Sequence, residues 1–347
     1  MSLAITIADI AKKLKTTSGT VSRALNNHPA ISEKTRKKVL RTAEKLNYRR
    51  NNVASSLRLN KTGIIGVIIP SAEINFFGSV VHGIESLANQ YGYNVLIYQS
   101  NESMQHEKKG IETLLHARVD GIMVSLAKET TEYSHFLDAK KAKVPIVFFD
   151  RANDDLQIDS VVINDFKGAF LATTHLVEKG YSRIAHIAGP QHISIFKARL
   201  EGYKAALKAN GIKFNKNLLV HGDVSIESGR KATRELLKLT CPPDAVFAVE
   251  DFTALGVMKE LKKNHIKIPD EFGVIGFANE QFGEHITPSL STIDQQTVNM
   301  GKEAFSLMHT LIEGKGKRPG KPKKVVLEPV PVFRDSSDKH TCSKSNV

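Results

Sequence analysis

Cysteine is nearly missing from this chain: Cys241 and Cys342 are the only two in 347 residues. Their separation fits no metal or redox motif, and such sparse cysteine suits a reducing compartment. Long apolar runs are missing as well. GIIGVIIP is strand-sized, whereas a membrane span needs about 20 apolar residues. The opening MSLAITIADIAKK lacks the apolar core of a secretory signal, so a cytoplasmic protein is expected. Catalytic signatures are absent too. There is no G-x-x-x-x-G-K-[ST], G-x-S-x-G, H-E-x-x-H or dinucleotide glycine fingerprint. GKGKRPGKPKK has the wrong spacing for a phosphate loop and follows no strand, so it reads as a basic surface loop. The 13 histidines form no convincing i, i+4 ligand pair. No enzyme, catalytic residue, cofactor or metal is expected.

What is present is a globular composition, 41% hydrophobic and 24% charged, long enough for two or three domains. The charge is distributed unevenly. Residues 1–62 hold 14 Lys and Arg against 3 Asp and Glu, a net of +11. The other 285 residues hold 35 and 33, a net of +2. So concentrated a positive field suits a polyanion, because each cation placed on a phosphate releases condensed counterions. A solvated basic tail would be poor in apolar residues, and this segment is not.

TIADIAKKLKTTSGTVSRALNN, residues 6–27, carries two short helical patterns with hardly a loop between them. Thr6 precedes Ile7, Ile10, Ala11 and Leu14 at one-face spacing, with Asp9 placed for a capping-box-like start. Thr17 caps a second helix with Val21, Ala24 and Leu25 inward. Ser32 opens a third, with Val39, Leu40, Ala43 and Leu46 as its buried stripe. The pattern predicts a helix-turn-helix whose second helix enters the major groove. Its outward residues are Ser18, Gly19, Ser22 and Arg23. Arg23 suits bidentate contact with a guanine edge; Thr17, Thr20, Ser22 and Asn26 suit phosphates. A three-helix bundle used for protein contacts is the other reading of this segment.

TIADIAKKLKTTSGTVSRALN and ISEKTRKKVLRTAEKLNYRRNNVASSLR together resemble the lactose-repressor (LacI/GalR) family of bacterial transcription regulators, and the likeness extends to about Phe333. The resemblance implies that NNVASSLR, from Asn51 to Arg58, is a hinge helix that folds on the operator, with Leu57 wedged into the minor groove. An isolated eight-residue helix needs such a partner, and an apolar wedge kinks DNA. Thr6, Ser32, Tyr48, Asn51, Leu57 and Arg58 join the expected DNA contacts. Two positions depart from the family pattern. Lys15 stands where glycine is common, implying a slightly different turn, and Arg50 replaces the proline before the hinge.

From Gly63 onward, strand-like runs alternate with helical ones: GIIGVIIP, NVLIYQS, GIMVSL and PIVFFD, then SVVIN, RIAHIAG, AVFAVED and FGVIGFA. Two such sets predict two doubly wound parallel-sheet lobes with a ligand cleft beyond the strands' carboxyl ends. The resemblance implies an α/β core like periplasmic sugar-binding proteins, crossed by the chain near Val161, Thr292 and Lys323, with KKVVLEPVPVF closing the second lobe. Effector contacts are expected at Phe76, Phe77, Ser125, Asp150, Arg199 and Glu250. Asp150 and Arg199 would face each other across the cleft and hold sugar hydroxyls, while one of the two phenylalanines belongs to the core. GFANEQFGE puts Ala278 where the family's sugar-binding aspartate is common, so Asn279 is expected to contribute instead.

The expected organisation is a small all-α helix-turn-helix domain (1–50), a hinge (51–61), a core (62–333) and a polar tail (334–347). Lobe 1 would take 62–161 and 293–322; lobe 2 would take 162–291 and 323–333. The tail RDSSDKHTCSKSNV has no leucine heptad, so a homodimer is expected, bound to pseudo-palindromic double-stranded operator DNA and controlled by a small molecule, a sugar. A sugar-binding receptor without DNA function is the alternative.

Overall fold

The computed structural model describes residues 5–48, 61–314 and 321–339. The chain divides into two compact units, Met1–Thr62 and Gly63–Val347.

Among the described residues, the first unit has three helices: α1 (Ile7–Leu14), α2 (Ser18–Leu25) and α3 (Glu33–Lys45). Each begins on a hydroxyl. Thr6, Thr17 and Ser32 accept from the backbone N–H groups of Asp9, Thr20 and Thr35, satisfying amides that a helix start leaves without partners. Asp9 returns the contact, its Oδ2 accepting from Thr6 N at 2.8 Å, a complete capping box. α1 ends with Lys15 in the left-handed region at φ 51°. Thr16 N donates to Ala11 O at 3.0 Å and Lys15 N to Lys12 O at 3.3 Å, the paired bonds of a Schellman turn. Lysine therefore enters the conformation that glycine usually serves, at a cost of about 1–2 kcal/mol. Ile10, Ala11, Val21, Ala24, Val39 and Ala43 form the core. Leu40 does not join its expected stripe: it is 47% exposed, because it lies 100° around the helix from Val39 and faces away from α1 and α2.

The second unit alternates strands and helices. Its first half contains β1 (Ile64–Ile69), α4 (Asn75–Gln90), β2 (Asn94–Gln99), α5 (Met104–His116), β3 (Gly121–Val124), α6 (Ser134–Lys141), β4 (Ile146–Phe149) and β5 (Asp159–Ile163). Next come α7 (Asp165–Glu178), β6 (Ile184–Ala188), α8 (Ser194–Ala209), β7 (Leu219–His221), α9 (Ile226–Leu237), β8 (Ala245–Ala248), α10 (Asp251–Lys263) and β9 (Gly273–Ile275). The chain then runs through α11 (Phe282–His285), β10 (Thr292–Asp294), α12 (Thr297–Glu313), β11 (Lys324–Leu327) and β12 (Val330–Val332).

Two parallel sheets result. The first lobe's order is β11-β5-β4-β3-β1-β2 and the second's is β7-β6-β8-β9. Strands β3, β4, β6 and β8 are buried along their whole length, as expected when helices cover both faces. On one such face α4 and α12 cross almost backbone to backbone. A Cβ at Gly83 would strike the Val298 carbonyl, and one at Gly301 would strike that of Val80.

The segment KKVVLEPVPVF does not close the second lobe. β11 joins the first-lobe sheet, pairing Lys324–Leu327 in parallel with Ser160–Ile163, and so covers the edge that β5 would otherwise leave open. β12 turns back against β10 as a two-stranded antiparallel ribbon at the crossover. The first lobe therefore keeps β5 to Ile163, and the last crossing follows Leu327 rather than Lys323. The start of the expected patternless tail is also bound. Ser336 Oγ donates to Val274 O at 2.7 Å, Ser291 N donates to Ser336 Oγ at 2.8 Å, and Arg334 donates to Leu290 O at 2.8 Å. Hydroxyls here satisfy backbone groups at a sheet edge, which no apolar pattern reveals.

Candidate reading helix and interlobe cleft

The two helices that frame the short turn present different chemistry inward and outward. On α2, Val21 and Ala24 are buried, while Ser18, Gly19 and Arg23 are exposed. Arg23 makes no ion pair and no side-chain hydrogen bond among the described residues, so its guanidinium fork is open. Thr17 Oγ1 accepts from Thr20 N at 3.2 Å and lies 3.0 Å from Thr20 Oγ1. Ser22 contributes its carbonyl to Asn26 Nδ2 at 2.8 Å, and its half-buried hydroxyl stands beside Arg23. Thr6 and Ser32 are occupied as caps: the Thr6 hydroxyl donates to Asp9 at 2.7 Å and Ser32 Oγ accepts from Thr35 N at 3.3 Å. Tyr48 packs on the three-helix core. Asn51, Leu57 and Arg58 lie outside the described residues. Lys12, Lys13, Lys15, Lys34, Lys37, Lys38, Arg41 and Lys45 are exposed, and among these, within the described residues, only Lys37 is ion-paired, to Glu33.

In the second unit, strand order reverses at β1 in one sheet and at β6 in the other. The carboxyl ends at these switch points are where a parallel sheet opens a crevice. The two crevices face each other and enclose a cleft of about 70 Å³. That is room for only a few waters. The lobes are closed over it. Phe76 N donates to Glu280 Oε1 at 3.1 Å, Ser194 Oγ donates to Ala152 O at 3.3 Å, and Lys128 Nζ donates to Asp223 O at 3.3 Å. His192 Nε2 bonds Lys128 O at 2.6 Å.

From the first lobe, Asp150 follows β4 in a left-handed backbone at φ 59° and lines the cleft. Ser125, just past β3, donates to Asp150 Oδ2 at 3.2 Å. Burial pushes the Asp150 carboxyl above its usual range, with Arg151 and Arg199 pulling the other way. Arg151 grips Glu102 with both terminal nitrogens, at 2.7 and 3.2 Å. From the second lobe, α8 delivers Arg199, 2% exposed. Its Nε donates to Asp165 at 2.8 Å, one terminal nitrogen to Val249 O at 2.8 Å and the other to Gln295 at 3.4 Å. The guanidinium also lies 3.7 Å from the centre of the Phe277 ring. Burial pushes Asp165 up to about 6 despite Arg199.

Glu250 caps α10, accepting from Phe252 N at 3.2 Å and Thr253 N at 3.0 Å. Burial, and then the neighbouring charge of Asp251, push it up to about 8. Asp251 is the structural partner. It accepts from Thr292 Oγ1 and from Glu280 N, both at 2.7 Å, and a Cβ at Gly276 would occupy its carboxylate's place. Burial raises it to about 6.

The cleft thus brings together Phe76, Phe77, Asp150, Arg199 and Glu250, with Ser125 behind Asp150. Two expectations are corrected. Phe76 and Phe77 both belong to the buried core and both line the cleft, packed edge-to-face at 5.1 Å. They lie in the first turn of α4, where successive side chains are 100° apart rather than opposed as in a strand. Asn279 turns away: its amide donates to Asp294 at 2.7 Å and its carbonyl accepts from Arg334 at 3.0 Å. Glu280 faces the cleft instead, because Asp251 binds its backbone N–H. Arg199, gripped by Asp165 of its own side, faces Asp150 across the cleft. Glu102, Arg151, Asp165, Glu280 and Gln295 were not foreseen. Arg151 and Asp165 had a legible signal, a charged residue within two positions of a buried strand's carboxyl end. A larger hollow of about 410 Å³ lies at the opposite end of the second sheet, where Ser182 and Arg183 enter β6. Arg183 is committed there to the carbonyls of Pro242 and Cys241.

Residues 6–51 match the family described as "Bacterial regulatory proteins, lacI family", and residues 62–335 match "Periplasmic binding proteins and sugar binding domain of LacI family". Catabolite control protein A of Priestia megaterium is 34% identical over 305 residues, 88% of this chain and 91% of that protein. The HTH-type transcriptional repressor PurR of Vibrio atlanticus is 32% identical over 310 residues, 89% of this chain and 92% of that protein. Among solved structures, the Lac repressor dimer bound to operator and the anti-inducer ONPF superposes with a TM-score of 0.85 at 27% identity, covering 96% of this chain and 99% of that one. Both family matches fall on the two units described above, the helix-turn-helix and the two-lobed parallel-sheet core, and the chain belongs to the LacI family of DNA-binding bacterial transcriptional regulators.

Proposed function

We propose that this regulator is a homodimeric repressor whose grip on a pseudo-palindromic operator is set by a small hydroxyl-rich molecule, a sugar, held between the core lobes. The carrying observation is the cleft itself. Groups able to bind hydroxyls approach one small space from both lobes, and hydrogen bonds between the lobes already draw the walls together. Aromatic faces from Phe76 and Phe196 suit the apolar side of a sugar ring, while Asp150, Arg151 and Glu250 suit its hydroxyls. Arg23 reads a base edge, with Thr17, Ser18, Gly19, Thr20, Ser22 and Asn26 beside the phosphates and Asn51, Leu57 and Arg58 completing the contact from the hinge. Thr6 and Ser32 act through the helix starts they hold. Relatives of this chain are transcriptional repressors, so the sugar is read as a signal rather than a substrate, with the cytoplasm as the site of action.

A ligand that prefers one lobe arrangement by about 1–3 kcal/mol changes operator affinity roughly 5–150-fold. The test is thermal-shift screening of mono- and oligosaccharides on the full chain, followed by operator titration with each binder. A sugar that raises the melting point and shifts operator affinity in either direction supports the reading. Binders that leave operator affinity unchanged contradict it.

A further inference from the structure

Acidic groups around the cleft outnumber basic ones, and the inequality bears on ligand choice only if the cleft is the effector site proposed for it. Five carboxylates face or back it, Glu102, Asp150, Asp165, Glu250 and Glu280, against three cations, Lys128, Arg151 and Arg199. The cations are already committed. Arg199 spends its fork on Asp165, Val249 O and Gln295. Arg151 closes both terminal nitrogens on Glu102, and Lys128 lies 3.8 Å from the same carboxylate. A phosphate or carboxylate is recognised by an open guanidinium fork, and neither fork here is open.

The carboxylates stand differently. Among the described residues, Glu250 and Glu280 have no cation within ion-pair distance. Glu250 is held only by Phe252 N and the N–H and hydroxyl of Thr253, and Glu280 by Phe76 N. Asp150 accepts from Ser125 and lies 3.8 Å from Arg151 Nε. That Nε is a second, independent sign of a ligand. It is buried without a hydrogen-bond partner, on a side chain only 7% exposed that lines the cleft. Ala278 also lines the cleft, and its methyl group brings no counter-charge. Burial, and then the neighbouring charge of Asp251, hold Glu250 and Glu280 above the ordinary carboxylate range, which a nearby positive charge would relieve.

We propose that the cleft selects a polyhydroxylated effector that carries no anionic group, and that a protonated amine set beside Glu250 and Glu280 is the feature it matches best. Sugar phosphates and sugar acids are rejected because their charge meets acids and closed forks; an amino sugar supplies the missing cation. Asp150 and Arg151 Nε bind the ligand's hydroxyl edge.

The test uses the full chain at pH 7, with calorimetric and thermal-shift titration of matched sets built on glucose, galactose and mannose. Each set holds the neutral sugar, its 2-amino form and its 6-phosphate. In any set that binds, the amino form is expected at least tenfold tighter than the neutral parent, and the phosphate at least tenfold weaker. Glu250→Gln and, separately, Glu280→Gln should pull the amino-to-neutral affinity ratio toward one, a ratio that a general loss of folding does not produce. A phosphate that equals or exceeds its neutral parent, or an amino form no tighter than it, overturns this inference and leaves the effector reading standing. Silence from every set and from the wider mono- and oligosaccharide screen removes the effector reading, and this inference with it.

Discussion

Arg23 and Arg199 are the same side chain put to opposite uses. Arg23 is exposed on α2 with nothing gripping it among the described residues, surrounded by a unit with a net charge of +11. Arg199 is 2% exposed, with hydrogen bonds to Asp165, Val249 and Gln295 and the Phe277 ring beneath it. The first loses little hydration before it meets a phosphate or base, so it is free to answer a polyanion. The second was desolvated during folding, and its partners hold it rigid whether or not a ligand comes. In the proposed account, an electrostatic surface that finds and grips DNA is separate from a preorganised pocket that reads a small molecule by shape and hydrogen bonding.

This contrast is broken most severely at Arg199. Arg199→Met should destabilise the core by about 3–5 kcal/mol, because it leaves Asp165 buried without its cation. Urea unfolding followed by core fluorescence measures this, and a loss below about 1 kcal/mol would mean the pair contributes little. Arg23→Ala should leave core unfolding unchanged while weakening operator binding by about 1–3 kcal/mol. Arg23→Lys should not restore it, since a point charge cannot replace a planar fork.

A third prediction uses pH to separate the units. His186 lies between the rings of Phe247 and Tyr203, with its Nε2 unpartnered, and burial pushes it down to about 3. Its folded pKa lies below the unfolded value of about 6.5. Below that pH the unfolded chain therefore takes up a proton that the folded core refuses, and stability falls as pH drops. Between pH 7 and 5 the loss from His186 should be about 2 kcal/mol. Asp165, Asp251 and Glu250, whose pKa values are raised, act in the opposite sense over the same range. The check is therefore the difference between the pH profiles of the unmodified chain and His186→Phe; parallel profiles would contradict it. The smallest effect belongs to the DNA-binding unit. Lys15→Gly should raise that unit's stability by about 0.5–1 kcal/mol by relieving the left-handed backbone, partly offset by glycine's greater freedom when unfolded. Thermal unfolding of the helix-turn-helix signal would show it.

The parts of this molecule that are periodic were legible in the residues. Thr6, Thr17 and Ser32 announce their helices because a cap must precede an apolar stripe, and the buried runs of β3, β4, β6 and β8 announce sheets covered on both faces. Leu40 was misplaced because a stripe has edges that composition does not mark. Which sheet β11 enters depends on which sheet has an open edge, a property of the assembled fold rather than of KKVVL. In the cleft, Asp150 and Glu250 were legible as charges just past strand ends, and Arg199 through the family resemblance. Asp165 as the grip on Arg199 was not, since the pair is 34 positions apart and meets only after the lobes are built. Asn279 and Glu280 exchanged roles because Asp251, from another helix, decides which of two neighbours faces inward.

The central claim is that an open arginine on α2 reads sequence in duplex DNA. Its most direct test is selection of duplexes from a random pool by the full chain, run in parallel with Arg23→Ala. The account predicts that the unmodified chain enriches a pseudo-palindrome with a guanine in each half-site and that Arg23→Ala loses that guanine. Enrichment of the same sequence by both proteins would contradict it.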